Sequence, residues 1–139
     1  MIRQILDNKK QYLNLLLLGD EQESMIDQYL YRGEMFGLFT LKNEEKAICV
    51  ITDEGNGIVE LKNIAVAPRF QRQGIGKMLI AFLIEHYSPY FSILRVGTGD
   101  SLVTISFYKN CGFKEIFRIK NFFVDNYDHP IFESGQQLI

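Results

Sequence analysis

Apolar side chains recur along the chain in two patterns, and together these patterns predict the order of its elements. Short β-branched or aromatic runs indicate strands, and they span Ile2–Leu6, Met35–Leu41, Ala47–Thr52, Val59–Val66, Phe91–Val96 and Phe113–Ile119. Apolar residues at helical spacing indicate helices, and these end at Gly19, span Gln22–Tyr31, run from Ile75 to a break at Ser88-Pro89, and span Leu102–Asn110. The predicted order is strand, two helices, three strands, helix, strand, helix, strand.

The most informative segment leads from the fourth predicted strand into the third predicted helix. Val59–Val66 is followed by a turn at Ala67-Pro68-Arg69, and the helix then begins at Gln71-Arg72-Gln73-Gly74-Ile75-Gly76. The first N–H groups of a helix have no partner inside it, and the helix dipole makes that end partly positive. Glycines let a bulky anion approach the backbone. The segment therefore predicts a pyrophosphate site.

Two familiar phosphate motifs do not fit this segment. A Walker loop needs a hydroxyl residue after its Gly-Lys pair, but Gly76-Lys77 is followed by Met78, and Gln71 stands where the first glycine belongs. The dinucleotide fingerprint needs a third glycine, and that position is Leu79. Nucleotide hydrolysis is therefore a poor match.

Two motifs resemble those of the GNAT superfamily of N-acetyltransferases. Gln-x-x-Gly-x-Gly at Gln71–Gly76, after a strand that ends in Ala-Val-Ala-Pro, resembles the family's acetyl-CoA-binding motif. Phe107-Tyr108-Lys109-Asn110-Cys111-Gly112-Phe113 resembles its Phe-Tyr-x-x-x-Gly-Phe motif. The element order also matches, and the resemblance extends from Ile2 to about Lys120.

The resemblance implies an α/β (α+β) fold in a single domain over residues 1–139. Its central sheet would be mixed and mostly antiparallel, with six to seven strands, about four flanking helices and splayed central strands. Only Gln137-Leu138-Ile139 is left for the family's last strand. That strand is then short, missing, or supplied by a partner chain, and an exposed edge makes a homodimer plausible.

The resemblance also implies which residues bind acetyl-CoA. The strand end at Ile64, Ala65 and Val66 would hold the pantetheine arm, with an N–H near Val66 polarising the thioester oxygen. The pyrophosphate would be held by the amides of Gln71, Arg72, Gln73, Gly74, Ile75, Gly76 and Lys77. Ser101 stands where the family often has an asparagine that contacts pantetheine. Ser101 and its neighbour Asp100 have a simpler alternative role as a helix cap.

Two residues are candidates for the proton transfers of acetyl transfer. Tyr108 matches the tyrosine that protonates the departing thiolate in many family members, although an aromatic at helical spacing is often only a core residue. Glu60 lies six residues before Val66, where several members place a catalytic glutamate, and alternation predicts that it shares a strand face with Lys62, Ile64 and Val66. The alternatives for Glu60 are a carboxylate paired with Lys62 and a different base, such as His129 or water.

The segments that usually meet the acceptor in this fold are acidic and aromatic, which predicts a small cationic amine as the substrate. The residues concerned are Asp20, Glu21, Glu23, Asp27, Tyr31, Glu34, Asp125, Tyr127, Asp128 and Glu133. The alternatives are a protein N-terminus or lysine as the acceptor, or a module that binds acyl-CoA without turnover. A simpler explanation of these charges is a helix face exposed to solvent, which commonly carries many charged residues.

Composition and charge limit the partners. A net charge of −2 and a pI near 5.7 argue against binding to nucleic acid or to a membrane surface. The two cysteines, Cys49 and Cys111, form no metal-binding pattern, so no metal is expected. No signal peptide is visible, and the expected location is the cytoplasm. The prediction is therefore a transferase that works with acetyl-CoA, without a metal, through a ternary complex.

Overall fold

The structure is a computed structural model that describes residues 1–97, 102–114, 131–133 and 136–138. The chain divides into two units, Met1–Val96 and Gly97–Ile139. No helix within the described ranges is long and apolar enough to cross a bilayer.

A five-stranded sheet forms the centre of the first unit. Its strands are β1 (Ile2–Ile5), β2 (Glu34–Phe39), β3 (Glu45–Gly55), β4 (Ile58–Val66) and β5 (Ile93–Val96), and they lie side by side in this order. The pairings from β1 to β4 are antiparallel, whereas β4 and β5 are parallel. The predicted mixed, mostly antiparallel sheet is confirmed.

Three helices cover the two faces of this sheet. They are α1 (Leu13–Gly19), which follows a 3-10 turn at Lys9–Tyr12, α2 (Glu23–Asp27) and α3 (Ile75–Tyr87). Leu16 of α1 and Ile26 of α2 belong to one buried cluster with Ile48 and Val50 of β3. On the opposite face, the ring of Phe36 lies edge-on to Phe82 of α3, with centroids 5.4 Å apart.

The second helix is shorter than predicted because the chain turns soon after Asp27. The turn is stabilised by Lys9, whose Nζ donates to the carbonyl oxygens of Leu30 (3.0 Å) and Gly33 (2.8 Å). Lys9 is buried, and this burial lowers its pKa. The contact between Lys9 and these main-chain oxygens joins distant parts of the chain and has no periodic signature. The apolar pattern therefore predicted a helix that is too long.

A β-bulge in β4 changes which side chains share a face. Val50 pairs with Asn63 and Ile51 with Leu61, so Lys62 is an extra residue on β4. Glu60, opposite Thr52, therefore lies on the α1/α2 face of the sheet, whereas Ile64, opposite Cys49, lies on the α3 face. The expectation that Glu60 shares a face with Ile64 and Val66 is wrong, because strict alternation does not hold across a bulge.

The second unit contains a helix and a hairpin. Helix α4 spans Leu102–Asn110, as predicted, and the chain leaves it at Gly112 with a φ of 102°. Strands β6 (Ile131–Glu133) and β7 (Gln136–Leu138) pair with each other as a separate antiparallel sheet. The prediction of six to seven strands in one sheet is therefore wrong for the described residues, where the main sheet has five. Most of the predicted sixth strand, residues 115–119, lies outside the described part of the chain.

Candidate active site

The second half of β4 presents backbone groups at an open edge. β5 pairs with β4 only from Ile58 to Leu61, and no described strand continues that pairing. On the other side, the N–H of Ala67 donates to the carbonyl of Lys46 at 2.8 Å. Hydrogen-bonded and non-hydrogen-bonded pairs alternate in an antiparallel ladder. The N–H and C=O groups of Ile64 and Val66 therefore point away from β3, towards the open edge, whereas those of Ala65 face β3.

A short loop joins this edge to the start of α3. After a 3-10 turn at Pro68–Phe70, the side-chain amide of Gln71 donates to the carbonyl of Val66 at 3.0 Å. The N–H of Gln71 itself donates to Pro68 O at 3.3 Å. The side chain of Gln71 thus joins the loop to the end of β4, while its backbone N–H closes the 3-10 turn.

The loop directs a row of N–H groups outward. Arg72 (φ 64°) and Gly74 (φ 76°) both adopt the left-handed conformation, and the first helical hydrogen bond runs from the Met78 N–H to Gly74 O at 3.0 Å. Among the described residues, the N–H groups from Gln73 to Lys77 have no hydrogen-bond partner. A Cβ built on Gly74 meets no atom within 4 Å, so the space beside the Cα of Gly74 is open. Such a loop can bind an anion.

Glu60 lies near this edge and is already paired with cations. It is the register partner of Arg95 on β5, whose Nε forms an ion pair with Oε1, and Lys62 Nζ forms a second ion pair with Oε2. Its side chain is 16% exposed. Both carboxylate oxygens are therefore engaged, as the paired-carboxylate alternative expected.

A second carboxylate, Glu54, extends the same charged group. It contacts Arg32 at 3.0 Å and Arg95 at 3.7 Å. The Thr52 hydroxyl donates to it at 2.5 Å, and this hydrogen bond, with the contact to Arg32, lowers the pKa of Glu54. The sequence pattern does not reveal this group, because its members come from separate segments and become neighbours only when the sheet forms.

Tyr108 lies on α4 in the second unit. Its ring packs edge-on against Phe107 (5.2 Å) and Phe113 (5.6 Å), and its carbonyl accepts from the Phe113 N–H at 3.0 Å. The side chain is half-buried. The aromatic residues of the motif thus position the tyrosine ring. Ser101, Asp100 and His129 lie outside the described residues.

Comparisons with known proteins identify the family. The chain matches the family model of the acetyltransferase (GNAT) domain over residues 34–115. It is 35% identical over 126 residues to the uncharacterized N-acetyltransferase YvbK of Bacillus subtilis (strain 168), which covers 89% of this chain and 81% of that protein.

Two solved structures are similar over nearly the whole chain. A GNAT family acetyltransferase from Elizabethkingia anophelis with acetyl-CoA bound is 36% identical with a TM-score of 0.92, over 99% of this chain and 91% of that one. An acetyltransferase from Bacillus subtilis in complex with CoA is 32% identical with a TM-score of 0.89, over the same shares of the two chains.

Proposed function

The chain belongs to the GNAT family of acetyltransferases, and from this premise we propose that it transfers the acetyl group of acetyl-CoA to a primary amine of a small cationic molecule. The family makes the chain an acyltransferase with acetyl-CoA as its co-substrate. The observation that supports the reaction is the outward-pointing backbone of Ile64 and Val66 beside the row of N–H groups from Gln73 to Lys77.

The described residues fit the two halves of acetyl-CoA. The pyrophosphate would accept hydrogen bonds from the loop and the first turn of α3, with Arg72 and Lys77 supplying positive charge. The amide groups of the pantetheine arm would pair with Ile64 and Val66 like an added strand. Ala65 would support this edge from the β3 side without contacting the arm through its own N–H.

The proposed reaction is a direct attack of the amine nitrogen on the thioester carbonyl. A C–N bond forms and the C–S bond breaks, so the nitrogen must lose a proton and the sulfur must gain one. We assign Tyr108 as the donor of the proton to sulfur. Glu60 would accept the proton from nitrogen through water. The N–H of Val66 would stabilise the charge that develops on the carbonyl oxygen.

The preference for a cationic acceptor rests on charges around α1 and α2. Glu23 and Asp27 share a single cation, since Lys10 Nζ lies 2.6 Å from each carboxylate. Together with Asp20 and Glu21, this segment carries more carboxylates than cations. Tyr31 is 64% exposed, and its ring would pack against an amine's alkyl stem.

Release of free CoA thiol from acetyl-CoA tests the proposal across a panel of polyamines, aminoglycosides, amino acids and short peptides. Tyr108→Phe is the matched control, because it removes one hydroxyl and keeps the ring that packs on Phe107 and Phe113. We expect turnover with one amine class and a fall of about 100-fold in kcat for the variant. Acetyl-CoA affinity should be unchanged. Turnover on peptides alone would favour a protein acceptor, and binding of acetyl-CoA with no turnover would refute the enzymatic proposal.

A further inference from the structure

The carboxylate of Glu60, the proposed base, lies between two cations. Oε1 forms an ion pair with Nε of Arg95, and Oε2 forms one with Nζ of Lys62. The side chain of Glu60 is 16% exposed, so little of it is open to a further group. An acceptor amine, or a water that relays its proton, therefore gains access to Glu60 when one of the two cations gives way.

Arg95 is held in place by more than its contact with Glu60. It is the register partner of Glu60 in the parallel pairing of β4 and β5, and its guanidinium also lies 3.7 Å from Glu54. Glu54 is itself fixed, because it accepts from the Thr52 hydroxyl and forms an ion pair with Arg32. Arg95 thus bridges two carboxylates, and its departure would break both contacts.

Lys62 is held less firmly. Within the ranges that the structure describes, its ammonium forms one ion pair, with Glu60, and it acts on Glu54 through its charge without a contact. As the extra residue of the bulge it has no register partner on β3, and its side chain is 24% exposed. A lysine carries a compact charge on a flexible stem of four carbons. The ammonium of Lys62 can therefore swing into solvent with the loss of a single contact.

The backbone beside Lys62 is fixed by the end of α1. Nδ2 of the next residue, Asn63, donates to the carbonyl of Leu16 at 2.9 Å, and Asn63 is 3% exposed. The helix packs so closely here that a Cβ built on Gly19 would lie 2.0 Å from Oδ1 of Asn63. The strand has little room to shift, so the release of Lys62 is a movement of its side chain alone.

The ion pair between Lys62 and Glu60 lies where the open edge of β4 begins. β5 pairs with β4 as far as Leu61, so Lys62 is the first residue of β4 beyond that pairing. The proposed cofactor-binding stretch starts two residues later, at Ile64. A cation bound to Glu60 therefore lies at the end of the cleft from which an acceptor would approach the cofactor.

We propose that the Lys62 ammonium occupies the place of the acceptor's ammonium beside Oε2 of Glu60, and that a cationic acceptor binds by displacing it. The inference rests on the proposed acetyl transfer and assigns Lys62 as a residue that determines specificity. A cationic acceptor replaces the ion pair that Lys62 gives up, whereas a neutral molecule would leave Oε2 without a cation. The bound ammonium then passes its proton, through the water of the proposed reaction, to the oxygen that Lys62 has released.

The test compares Lys62→Met and Lys62→Arg with wild type on the amine that turns over fastest. Methionine keeps an unbranched stem without the charge, so the acceptor no longer has to displace a cation. The KM for the amine should fall about two- to fivefold, the range that a partly exposed ion pair supports. The kcat should not fall, and the KM for acetyl-CoA should stay the same. Lys62→Arg keeps a competing cation, so its KM for the amine should not fall.

Two further variants control for effects of net charge and of folding. Lys42→Met removes the same charge from an exposed residue between β2 and β3, and it should keep the wild-type KM. Lys62→Gln is a second neutral variant, so the comparison does not depend on the folding of one protein. The proposal is overturned if neutral residues at Lys62 leave the KM for the amine unchanged, or if Lys42→Met lowers it equally. A higher KM would also overturn it, because Lys62 would then bind the acceptor.

A binding measurement separates this inference from the proposed reaction. If no amine is acetylated, calorimetry with spermidine and the CoA-loaded protein replaces the kinetic assay. A Kd for spermidine that is about two- to fivefold lower in Lys62→Met than in wild type would support displacement although the reaction had failed. Equal or weaker binding to the variant, or binding to neither protein, would overturn it.

Discussion

Replacing Gly74 with alanine separates two roles of this residue, its backbone conformation and the space in front of it. Gly74 has a φ of 76°, and a Cβ there meets no protein atom within 4 Å. The folded protein should therefore lose only the cost of a left-handed alanine, about 1–2 kcal/mol. For a chain of 139 residues that corresponds to a fall in Tm of about 3–7 °C.

The effect on acetyl-CoA should be larger, because the new methyl group enters the space where the pyrophosphate would approach the N–H groups. We expect the Kd for acetyl-CoA, measured by calorimetry, to rise by at least about tenfold, or ~1.4 kcal/mol. Gly74→Asn provides a second point. Asparagine tolerates the left-handed region better than alanine, so stability should partly return while affinity stays low.

Gly55 offers a matched control at the β3–β4 turn. It also has a left-handed φ, 84°, and a Cβ there also meets nothing within 4 Å. Gly55→Ala should cost about as much stability as Gly74→Ala and leave acetyl-CoA affinity unchanged. If the two alanine variants bind acetyl-CoA equally well, the placement of the pyrophosphate at this loop is refuted.

Three further substitutions test other parts of the first unit. Lys9→Met should lower the free energy of unfolding by about 1–3 kcal/mol in urea titrations, because two buried carbonyl oxygens lose their donor; an unchanged midpoint would contradict this role. Glu54→Gln should lower Tm near neutral pH by a few degrees at most. Folding lowers the pKa of Glu54, so the stability that its ionised side chain contributes is present above the pKa of the unfolded chain, about 4.3. That stability is lost as the pH falls through the pKa of the folded protein. The two Tm curves should therefore converge in acid, and a constant gap would refute the assignment. Glu60→Gln should lower kcat by about 100-fold and leave the affinity for acetyl-CoA unchanged. A normal kcat with a lower Tm would mean that Glu60 has only a structural role, in its ion pairs with Arg95 and Lys62.

The sequence predicted the parts of the fold that depend on local pattern. The alternation in Val59–Val66, the glycines at Gly74 and Gly76, and the periodicity of α3 are all properties of neighbouring residues, and the strand, loop and helix occur where these patterns indicate. Most other boundaries differ by only a few residues, as is common at element ends.

Features that arise from pairing between distant segments could not be predicted in the same way. The bulge at Lys62 depends on how β4 aligns with β3, and it moves Glu60 to the other face of the sheet from Ile64. The approach of Gly19 to Asn63 depends on packing between a helix and a strand far apart in the chain. Neither the bulge nor the approach of Gly19 to Asn63 produces a periodic pattern in the sequence.

The alternating direction of the backbone along β4 has a consequence for hydrogen exchange. In the free protein, the outward amides of Ile64 and Val66 should exchange quickly with solvent deuterium. The intervening Ala65 amide, which faces β3, should be protected. When a ligand takes the place of a neighbouring strand, the two outer amides should slow together while Ala65 barely changes. The exchange rates of these three consecutive amides would thus show whether a ligand has paired with the open edge of β4.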